Sequence, residues 1–546
     1  MAAKPKSTET APPPAGSANR ARIIMLVLLA LGLGLRLLPA LFSGDAILHG
    51  PLTDDSFYSL NIAQNLAAGH GFTFDRINPT NGFQPLYVFL MVPVYAVFPD
   101  NPIAPVKIAM LLLGLANTAA GWFLYRILSR EVSPRAGLFG LTLFALSPYV
   151  IDGGVNGLET SLALLLFLAA YDLYLATIRP GTDTRSHRLG LAALFALLVF
   201  ARIDGGLLAA AIALDYLFRR APQPFRSRLR KMAGIAALAL LLYSPWLIFS
   251  QVHFGAALPQ SGAAVRLMAE LYGAMELPIP VPTFSPGDIP ASFYAGHLIQ
   301  ALMVLAMAGL FFPVGPAVLL LQLFGQASGA WIIGSWPVVV PVFLAGAVWA
   351  FRARRTLGAA WWAVGLTVAA YSFYVFGAWF FFRYLYVAEV CLLLLGARLF
   401  DRLVEKRKWV VWAAAAGYVV LLGYGYAVRS QPNDFQLFNY DMIKQALDAK
   451  APPGARVGTF QTGYLGYFSP ARTVINLDGV VNPKAYAALR DGRLYEYLRE
   501  EKIEYVADFK NITDRLLLPR LGADPRLALV PLSAPDEPIQ VFQVKP

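Results

Sequence analysis

Residues 23–42 read IIMLVLLALGLGLRLLPALF, an apolar run with one charged residue, Arg36. A bilayer core of about 30 Å is crossed by roughly 20 apolar residues in a helix. Inside lipid the backbone must satisfy its own hydrogen bonds, so the run predicts a transmembrane helix. It is long for a signal peptide and lacks a convincing small-residue cleavage site, which favours an uncleaved first helix.

Similar apolar blocks recur along the chain between short basic or Gly/Pro-containing loops. Of the 546 residues, 57% are hydrophobic and 14% are charged, whereas soluble domains carry about 25% charge. The long continuous runs argue against a β-barrel, which is built from short alternating segments. The net charge of +12 comes from Lys and Arg between apolar blocks, which indicates cytoplasmic membrane loops and not nucleic-acid binding. The single cysteine, Cys391, excludes an intrachain disulfide, and no Cys/His spacing indicates zinc or haem.

The basic clusters predict a polytopic α-helical membrane protein, with about thirteen transmembrane helices over residues 22–428 and a cytoplasmic N-terminus. Residues 1–21 are predicted to be a disordered cytoplasmic tail. The polar stretch 44–102 becomes an external loop. Its two amphipathic pieces, residues 55–68 and 84–98, are short for spans and are interpreted as interfacial.

Other boundaries follow from the same pattern. Residues 293–351 are predicted to hold three helices, although one is also compatible with their composition. Residues 152–159 and 251–292 are predicted to be external loops. The break between two late helices is predicted at Phe382-Arg383-Tyr384.

Near residue 430 the charge content rises, and short β-like runs alternate with helical ones. This alternation predicts a small soluble α/β domain over residues 429–546. The predicted topology places it outside the cytoplasm, on the periplasmic side of a bacterial inner membrane. Its predicted elements are strands at 456–460, 473–477 and 503–508 and a helix at 483–501.

The predicted outer face collects ionisable residues, which are costly near a membrane unless they are paired or functional. Asp54 and Asp55 precede an amphipathic run, and either one could cap that helix or act as a general base. Arg202 and Asp204 fit a tight-turn ion pair. Arg383 is either an interfacial arginine in an aromatic belt or a phosphate ligand.

Residues 78–86, Asn-Pro-Thr-Asn-Gly-Phe-Gln-Pro-Leu, are dense in turn formers and predict a folded external loop, which also suits carbohydrate contact. The segments Gly458–Gly466 and Asn476–Gly479 only weakly resemble a nucleotide-binding turn, because the glycine spacing is wrong. We interpret them as a lid or an acceptor-docking element. The candidate substrate-binding residues of the whole chain are Arg76, Asn81, Gln84, Asp152, Arg202 and Arg383.

The order of these motifs resembles the GT-C superfamily of membrane glycosyltransferases, over about residues 20–400. The motifs are Asp54-Asp55, Gly69-His-Gly-Phe-Thr-Phe-Asp75, the segment 78–86, Asn156-Gly-Leu-Glu-Thr-Ser161 and a late Phe-Arg-Tyr-Leu. Protein O-mannosyltransferases and lipid A aminoarabinose transferases are broadly similar. Bacterial members that carry Asn-Pro-Thr-Asn-Gly-Phe are most similar.

The resemblance implies a sugar donor carried on a polyprenyl phosphate and an extracytoplasmic acceptor, which is a glycan, lipid or protein. It implies that Asp54 or Asp55 is the catalytic base and that Glu159, or else Asp152, is a second acidic residue. Arg383 matches the residue that contacts the lipid-linked phosphate. One direct displacement would invert the anomeric carbon. The lysine expected in aminoarabinose transferases near the second amphipathic helix is missing.

Two rival interpretations remain: a polyprenyl-linked glycan flippase or transporter, and a non-catalytic protein that binds lipid-linked glycans. A transporter predicts inverted repeats and broken midplane helices, and the sequence contains no convincing repeat. Membrane lipids are expected partners and nucleic acid is not. No cofactor is indicated, and a divalent cation is left open, as are the sugar and the acceptor.

Overall fold

The structure is a computed structural model. It describes residues 15–41, 50–272, 356–373, 377–409, 437–521 and 529–545, together with isolated residues at 291, 294, 298, 301–302, 412 and 416. Residues 15–406 supply the helices that we call the membrane unit. These helices are α1 (Ala15–Leu41), α2 (Ser56–Ala67), α3 (Pro85–Val97), α4 (Ala104–Glu131), α5 (Pro134–Leu146), α6 (Pro148–Val155), α7 (Thr160–Leu173), α8 (Arg185–Ala201), α9 (Gly205–Phe218), α10 (Phe225–Phe254), α11 (Ser261–Tyr272), α12 (Gly358–Phe373) and α13 (Gly377–Lys406).

Among the described helices, four are long and apolar enough to cross a membrane. They are α1, α4, α10, and α7 with the π-helical turn that continues it to Ile178. The pair α5 and α6 also qualifies as one span with a bend of 63°. The helices predicted over 293–351 and 409–428 lie largely outside the described residues. The total of thirteen therefore stays a prediction.

The bend between α5 and α6 follows from Ser147 and Pro148. Ser147 ends α5 in an extended conformation and its side chain accepts a hydrogen bond from the Val150 N–H, which caps α6. Proline disfavours helical geometry in the residue before it but is well suited to the first helical position. Asp152 therefore lies in a helix, and the prediction of a loop starting there was wrong.

Two other predicted boundaries were also wrong. The predicted loop 251–292 contains the amphipathic helix α11, whose apolar side chains Leu267 and Met268 pack into the C-terminal core. The predicted break at Phe382-Arg383-Tyr384 lies inside α13, because that helix already begins at Gly377. The break was predicted there because Arg383 is charged. An arginine can lie inside a helix where its side chain faces a polar cavity.

Residues 437–545 form what we call the C-terminal unit. Its elements are α14 (Leu437–Lys450), β1 (Arg456–Thr459), α15 (Gly463–Phe468), β2 (Thr473–Asn476), α16 (Pro483–Arg490), α17 (Leu494–Glu500), β3 (Tyr505–Phe509), β4 (Leu529–Pro531) and β5 (Ile539–Val544). The sheet has the order β2-β1-β3-β5-β4. β1 is parallel to β2 and β3, and β5 is antiparallel to β3 and β4.

The predicted strands agree with β1, β2 and β3 to within two residues. The predicted helix 483–501 is instead two helices, α16 and α17. They are separated at Gly492, which has a φ of +69°, a left-handed conformation that glycine adopts at little cost and that ends a helix.

The C-terminal unit packs directly on residues 50–102. These residues belong to the segment that the sequence predicts as an external loop, and we call them the first external loop. Tyr464 and Tyr467 of α15 contact Phe57 of α2, with ring centroids 5.8 and 5.2 Å apart. The hydroxyl groups of Tyr95 and Tyr467 are 2.9 Å apart. Burial of these aromatic surfaces joins the two units through one continuous apolar core.

Candidate active site

A cavity of about 500 Å³ lies between the two units. Its walls come from the first external loop, the start of α7, the α8–α9 turn, α11, α12, α13 and the C-terminal unit. Its charged and polar lining includes Asp55, Gln84, Glu159, Arg202, Asp204, Tyr371, Arg383, Tyr384, Gln461 and Asp478.

Asp55 and Arg383 form an ion pair in this cavity. Arg383 Nη1 donates to Asp55 Oδ2 over 2.5 Å, and the two side chains remain 21% and 27% exposed. Asp55 occupies the N-cap position of α2, but its side chain makes no capping hydrogen bond. Its carboxylate is therefore directed to the arginine and remains accessible from the cavity.

Arg202 holds two further carboxylates. Its Nε and Nη2 each donate to one oxygen of Asp204 over 2.9 Å, and its Nη1 donates to Glu159 Oε1 over 3.0 Å. Tyr371 donates from its hydroxyl to Asp204 Oδ2 over 2.5 Å. All three side chains belong to residues at helix ends. Glu159 and Asp204 sit at the N-cap positions of α7 and α9, and Arg202 directly follows α8.

The two guanidinium groups flank one aromatic ring. Arg383 lies 5.0 Å and Arg202 5.7 Å from the centroid of Tyr384, which itself stacks on Tyr371 at 4.5 Å. Contact with an aromatic face stabilises a cation, and guanidinium groups bind planar oxyanions in a bidentate manner. One wall of the cavity is thus suited to an anionic group such as phosphate.

Asp54 has a different environment from its neighbour Asp55. Its carboxylate is 3% exposed and accepts hydrogen bonds from the backbone N–H groups of Gly463 (3.1 Å) and Tyr464 (2.6 Å), at the start of α15. Burial raises the pKa of Asp54 from 3.8 to about 8, against the opposing effect of those two bonds. Asp54 joins the two units and does not line the cavity.

Residues 83–249, which contribute four of these cavity residues, match the family model described as dolichyl-phosphate-mannose-protein mannosyltransferase. The fold is similar to that of an oligosaccharyltransferase from Archaeoglobus fulgidus in complex with Zn and sulfate. The TM-score is 0.52 at 14% identity, over 90% of this chain and 68% of that one. Residues 83–249 therefore resemble a glycosyltransferase family, and the chain shares the fold of the oligosaccharyltransferase.

Two other solved structures resemble the chain at lower scores. Archaeal AglB from Archaeoglobus fulgidus, in complex with an inhibitory peptide and a dolichol-phosphate, has a TM-score of 0.49 at 14% identity, over 91% of this chain and 70% of that one. ArnT from Cupriavidus metallidurans, bound to undecaprenyl phosphate, has a TM-score of 0.42 at 13% identity, over 97% and 98%. Residues 429–536 match a family model described as a domain of unknown function, DUF8728. No curated protein sequence matches the chain.

Of the predicted site residues, five line the cavity. They are Asp55, Gln84, Glu159, Arg202 and Arg383. Gln84 is fixed by its Oε1, which accepts from the backbone N–H of Ile203 over 3.2 Å.

The other predicted residues lie elsewhere. Arg76 is exposed and its Nε contacts Asn65 Oδ1 at 3.3 Å. Asn81 is 2% exposed, and its side chain bonds to the backbone of Ala256, Leu258 and Gln260. Asn81 thus shapes the wall segment before α11 and does not face the cavity. Asp152 lies in α6, outside the cavity lining.

Four lining residues had not been singled out as site residues. Tyr384 follows Arg383 directly, so the aromatic run around Arg383 was a usable signal. Gln461 and Asp478 lie in the two segments that the sequence suggested as a lid or an acceptor-docking element, although neither residue was named. Tyr371 had no comparable signal, because its position depends on contacts between distant segments. Within the described part of the chain, no three or more His, Cys, Asp or Glu side chains are grouped to hold a metal ion.

Proposed function

We propose that this glycosyltransferase moves a sugar from a polyprenyl-phosphate donor to a hydroxyl-bearing acceptor outside the cytoplasm, with inversion at the anomeric carbon. The observation that carries the proposal is the 2.5 Å pairing of Asp55 with Arg383 in a cavity that also holds Arg202. A candidate base and two candidate phosphate ligands meet at one place.

The cationic wall supports a phosphate-linked donor. Arg383 and Arg202 are held against the same Tyr384 ring, and two guanidinium groups can neutralise the charge of a departing phosphate. The description of the matched family names dolichyl phosphate, which is a polyprenyl phosphate. A prenyl chain also suits a cavity whose walls are built from membrane helices.

Donor binding would alter the Asp55–Arg383 pair. Phosphate competes with Asp55 for the Arg383 donors. We infer that Arg383 shifts towards the phosphate when the donor binds, and that the Asp55 carboxylate is then released to face the acceptor hydroxyl.

The reaction then balances as one displacement. Asp55 takes the proton of the acceptor hydroxyl, and the oxygen forms a new bond to the anomeric carbon. The bond between that carbon and the phosphate oxygen breaks, and its electron pair leaves with the polyprenyl phosphate. Arg383 and Arg202 stabilise the resulting charge. Attack opposite the leaving group gives inversion.

Asp55 is the better candidate than Asp54 for the base. Asp54 accepts two backbone hydrogen bonds in the interface and is 3% exposed, whereas a general base must reach the acceptor proton. Glu159 is held by Arg202 and would keep that guanidinium in position for the phosphate.

The charge distribution supports an extracytoplasmic cavity in a bacterial inner membrane. Along α7, α8 and α9 the cavity residues Glu159, Arg202 and Asp204 mark one end. The opposite ends carry basic residues in ion pairs, such as Arg179 with Glu131 and Arg188 with Asp183. Basic residues accumulate on the cytoplasmic side, so the cavity and the C-terminal unit would face the periplasm.

The experiment is sugar transfer by the purified full-length chain in lipid nanodiscs. A panel of undecaprenyl-phosphate sugars is supplied, and release of undecaprenyl phosphate is measured for the wild type, Asp55→Asn and Arg383→Ala. Loss of a general base is expected to lower kcat by at least about 100-fold. Asp100→Asn, at an exposed position in the same loop, is the matched control and is expected to retain activity.

Two results would contradict the proposal. Turnover that survives Asp55→Asn would remove Asp55 as the base while leaving the transferase activity. Donor binding without any release of undecaprenyl phosphate would instead favour a flippase or a lipid-glycan binding protein.

A further inference from the structure

The part of the cavity wall that comes from the C-terminal unit is the carboxyl edge of its parallel strands. Phe460 and Gln461 follow β1, Asp478 and Val480 follow β2, and Ile512 follows β3; all line the cavity. In open α/β sheets, ligands bind at the carboxyl ends of the parallel strands. Here that edge faces the site in which Asp55 lies.

Gln461 is held in place by a buried carboxylate. Asp508 Oδ2 accepts from the backbone N–H groups of Phe460 and Gln461, at 2.8 and 3.1 Å, and from the Thr459 hydroxyl at 2.9 Å. These bonds fix the direction of the chain as it leaves β1. The position of the Gln461 side chain at the cavity is therefore set by the fold of the C-terminal unit.

Asp478 is held by amide groups. Its Oδ1 accepts from the Val480 backbone N–H over 2.7 Å, and the Asn476 side chain also bonds to it. A carboxylate offers about four lone-pair sites. Asp478 thus has acceptor capacity beyond these bonds, and it is partly exposed in the cavity.

Both walls carry carboxylates, whereas the guanidinium groups lie on one wall. Among the described lining residues, both guanidinium groups belong to the membrane unit, and the charged residue that the C-terminal unit adds is Asp478. Asp55, Glu159 and Asp204 are also present, so carboxylates outnumber guanidiniums. A donor phosphate is attracted to the arginine wall, whereas a second anion beside Asp478 would be repelled.

We propose that Asp478 and Gln461 bind the acceptor, and that the acceptor is a hydroxyl-rich carbohydrate group without negative charge. This inference rests on the proposed function. Asp478 accepts hydrogen bonds from two acceptor hydroxyls, and Gln461 donates and accepts one more. The two residues determine specificity and position the acceptor for Asp55.

The test measures acceptor binding without a donor. Saturation-transfer NMR is recorded on the full-length chain in lipid nanodiscs with methyl hexosides and with the corresponding hexose 6-phosphates as probes. The wild type is expected to bind at least one methyl hexoside and to reject its 6-phosphate. Asp478→Asn is expected to weaken hexoside binding about tenfold, since a hydrogen bond to a charged group is lost. Gln461→Ala is expected to weaken it less.

Two further variants complete the design. Asp478→Lys is expected to gain binding of the hexose 6-phosphates, a gain that a misfolded protein cannot produce. Asp491→Asn, at an exposed position of the same unit, is the matched control and is expected to bind like the wild type. The inference is overturned if the wild type binds no hexoside, if it binds the 6-phosphates equally well, or if Asp478→Asn binds hexosides normally. None of these outcomes depends on turnover, so failure of sugar transfer and failure of acceptor recognition are separate results.

Discussion

Gly82 lies so close to Val480 that a β-carbon on Gly82 would fall 1.9 Å from the Val480 carbonyl oxygen. Gly82 belongs to the Asn-Pro-Thr-Asn-Gly-Phe motif of the first external loop, and Val480 belongs to the turn that presents Asp478. The motif is therefore a docking surface for the C-terminal unit. Its glycine is required by close approach of two backbones.

Substitution of that glycine should separate the two units. In Gly82→Ala the added methyl group meets a backbone atom, which cannot rotate away, so the turn at Val480 must move. We expect faster protease cleavage of the C-terminal unit and at least about tenfold lower turnover, since a small displacement of a catalytic wall is costly. Gly365→Ala is the control, because no atom lies within 4 Å of its added carbon. Unchanged protease resistance in Gly82→Ala would contradict the docking role.

Asp54 should act on stability more than on chemistry. Asp54→Ala leaves the backbone N–H groups of Gly463 and Tyr464 buried without their acceptor, and each such group costs about 1–3 kcal/mol. We expect a lower thermal midpoint and a partial loss of turnover. Asp54→Asn should be milder, because its amide oxygen still accepts one bond. A complete loss of kcat in Asp54→Asn with an unchanged midpoint would instead make Asp54 the base.

Docking of the C-terminal unit should weaken as the pH rises. Burial raises the pKa of Asp54 from 3.8 to about 8, so the docked state retains a proton that an exposed Asp54 releases. Where the docked state binds more protons, its stability falls with pH. The contribution is full below about pH 4 and is lost as the pH approaches 8. Protease resistance of the C-terminal unit at pH 5 and pH 8 measures it.

The same experiment on Asp54→Asn supplies the comparison. The variant cannot ionise there, so its pH dependence should be smaller than that of the wild type. Asp478 and Asp508 keep part of the effect, because burial also raises their pKa, to about 7 and about 6. Equal pH dependence in the variant and the wild type would exclude Asp54 as the source.

Removal of Asp55 should strengthen donor binding while it abolishes turnover. In Asp55→Asn the Arg383 guanidinium loses its anionic competitor, so undecaprenyl phosphate is expected to bind several-fold more tightly. Arg383→Ala should weaken the same binding. Direct titration of undecaprenyl phosphate into nanodiscs measures both. Weaker binding in Asp55→Asn would mean that Arg383 needs Asp55 to hold it in position.

Arg202 should be the costliest of the cavity residues to remove. Arg202→Met leaves the buried Glu159 and the partly buried Asp204 without their shared cation, and breaking a buried ion pair costs about 3–5 kcal/mol. We expect a clear drop in the thermal midpoint. Arg490→Met, in an exposed ion pair of the C-terminal unit, should leave it unchanged. Equal midpoints in the two variants would contradict the importance of this cluster.

Local signals predicted much of the fold. The helix starts at Ser56 and Pro85 and the three parallel strands lie within about two residues of the predicted positions, because periodicity and turn residues act over short distances. The motif Asn156-Gly-Leu-Glu159 was also singled out from the sequence. Gly157 has a φ of +78° and packs against Ser56, so this motif fixes Glu159 next to the Asp54-Asp55 segment.

Other features could not be read from neighbouring residues. Asp54 and Asp55 are adjacent in sequence and equivalent in type, and partners distant in sequence distinguish them. Asp54 accepts from the backbone of Gly463 and Tyr464, whereas Asp55 pairs with Arg383. Asp478 lies in an ordinary Asx turn, and its place in the cavity follows from the docking of a whole sheet. Arg383 was named from the sequence as a candidate site residue. A helix break was predicted at it, because a charged residue was interpreted as a boundary with water, whereas α13 continues through it.

The long span between Asp54 and its backbone partners has a consequence for biosynthesis. At roughly 5–20 residues per second, the ribosome needs about 20–80 s to make the residues from Asp54 to Tyr464. Throughout that interval the nascent first loop has emerged without the segment that completes its core. During this time the C-terminal unit does not cover the apolar side chains of α2 and α3, and lipid headgroups or a chaperone would shield them. The cavity is therefore complete only after the C-terminal unit has been synthesised, and a chain interrupted before that unit cannot form it.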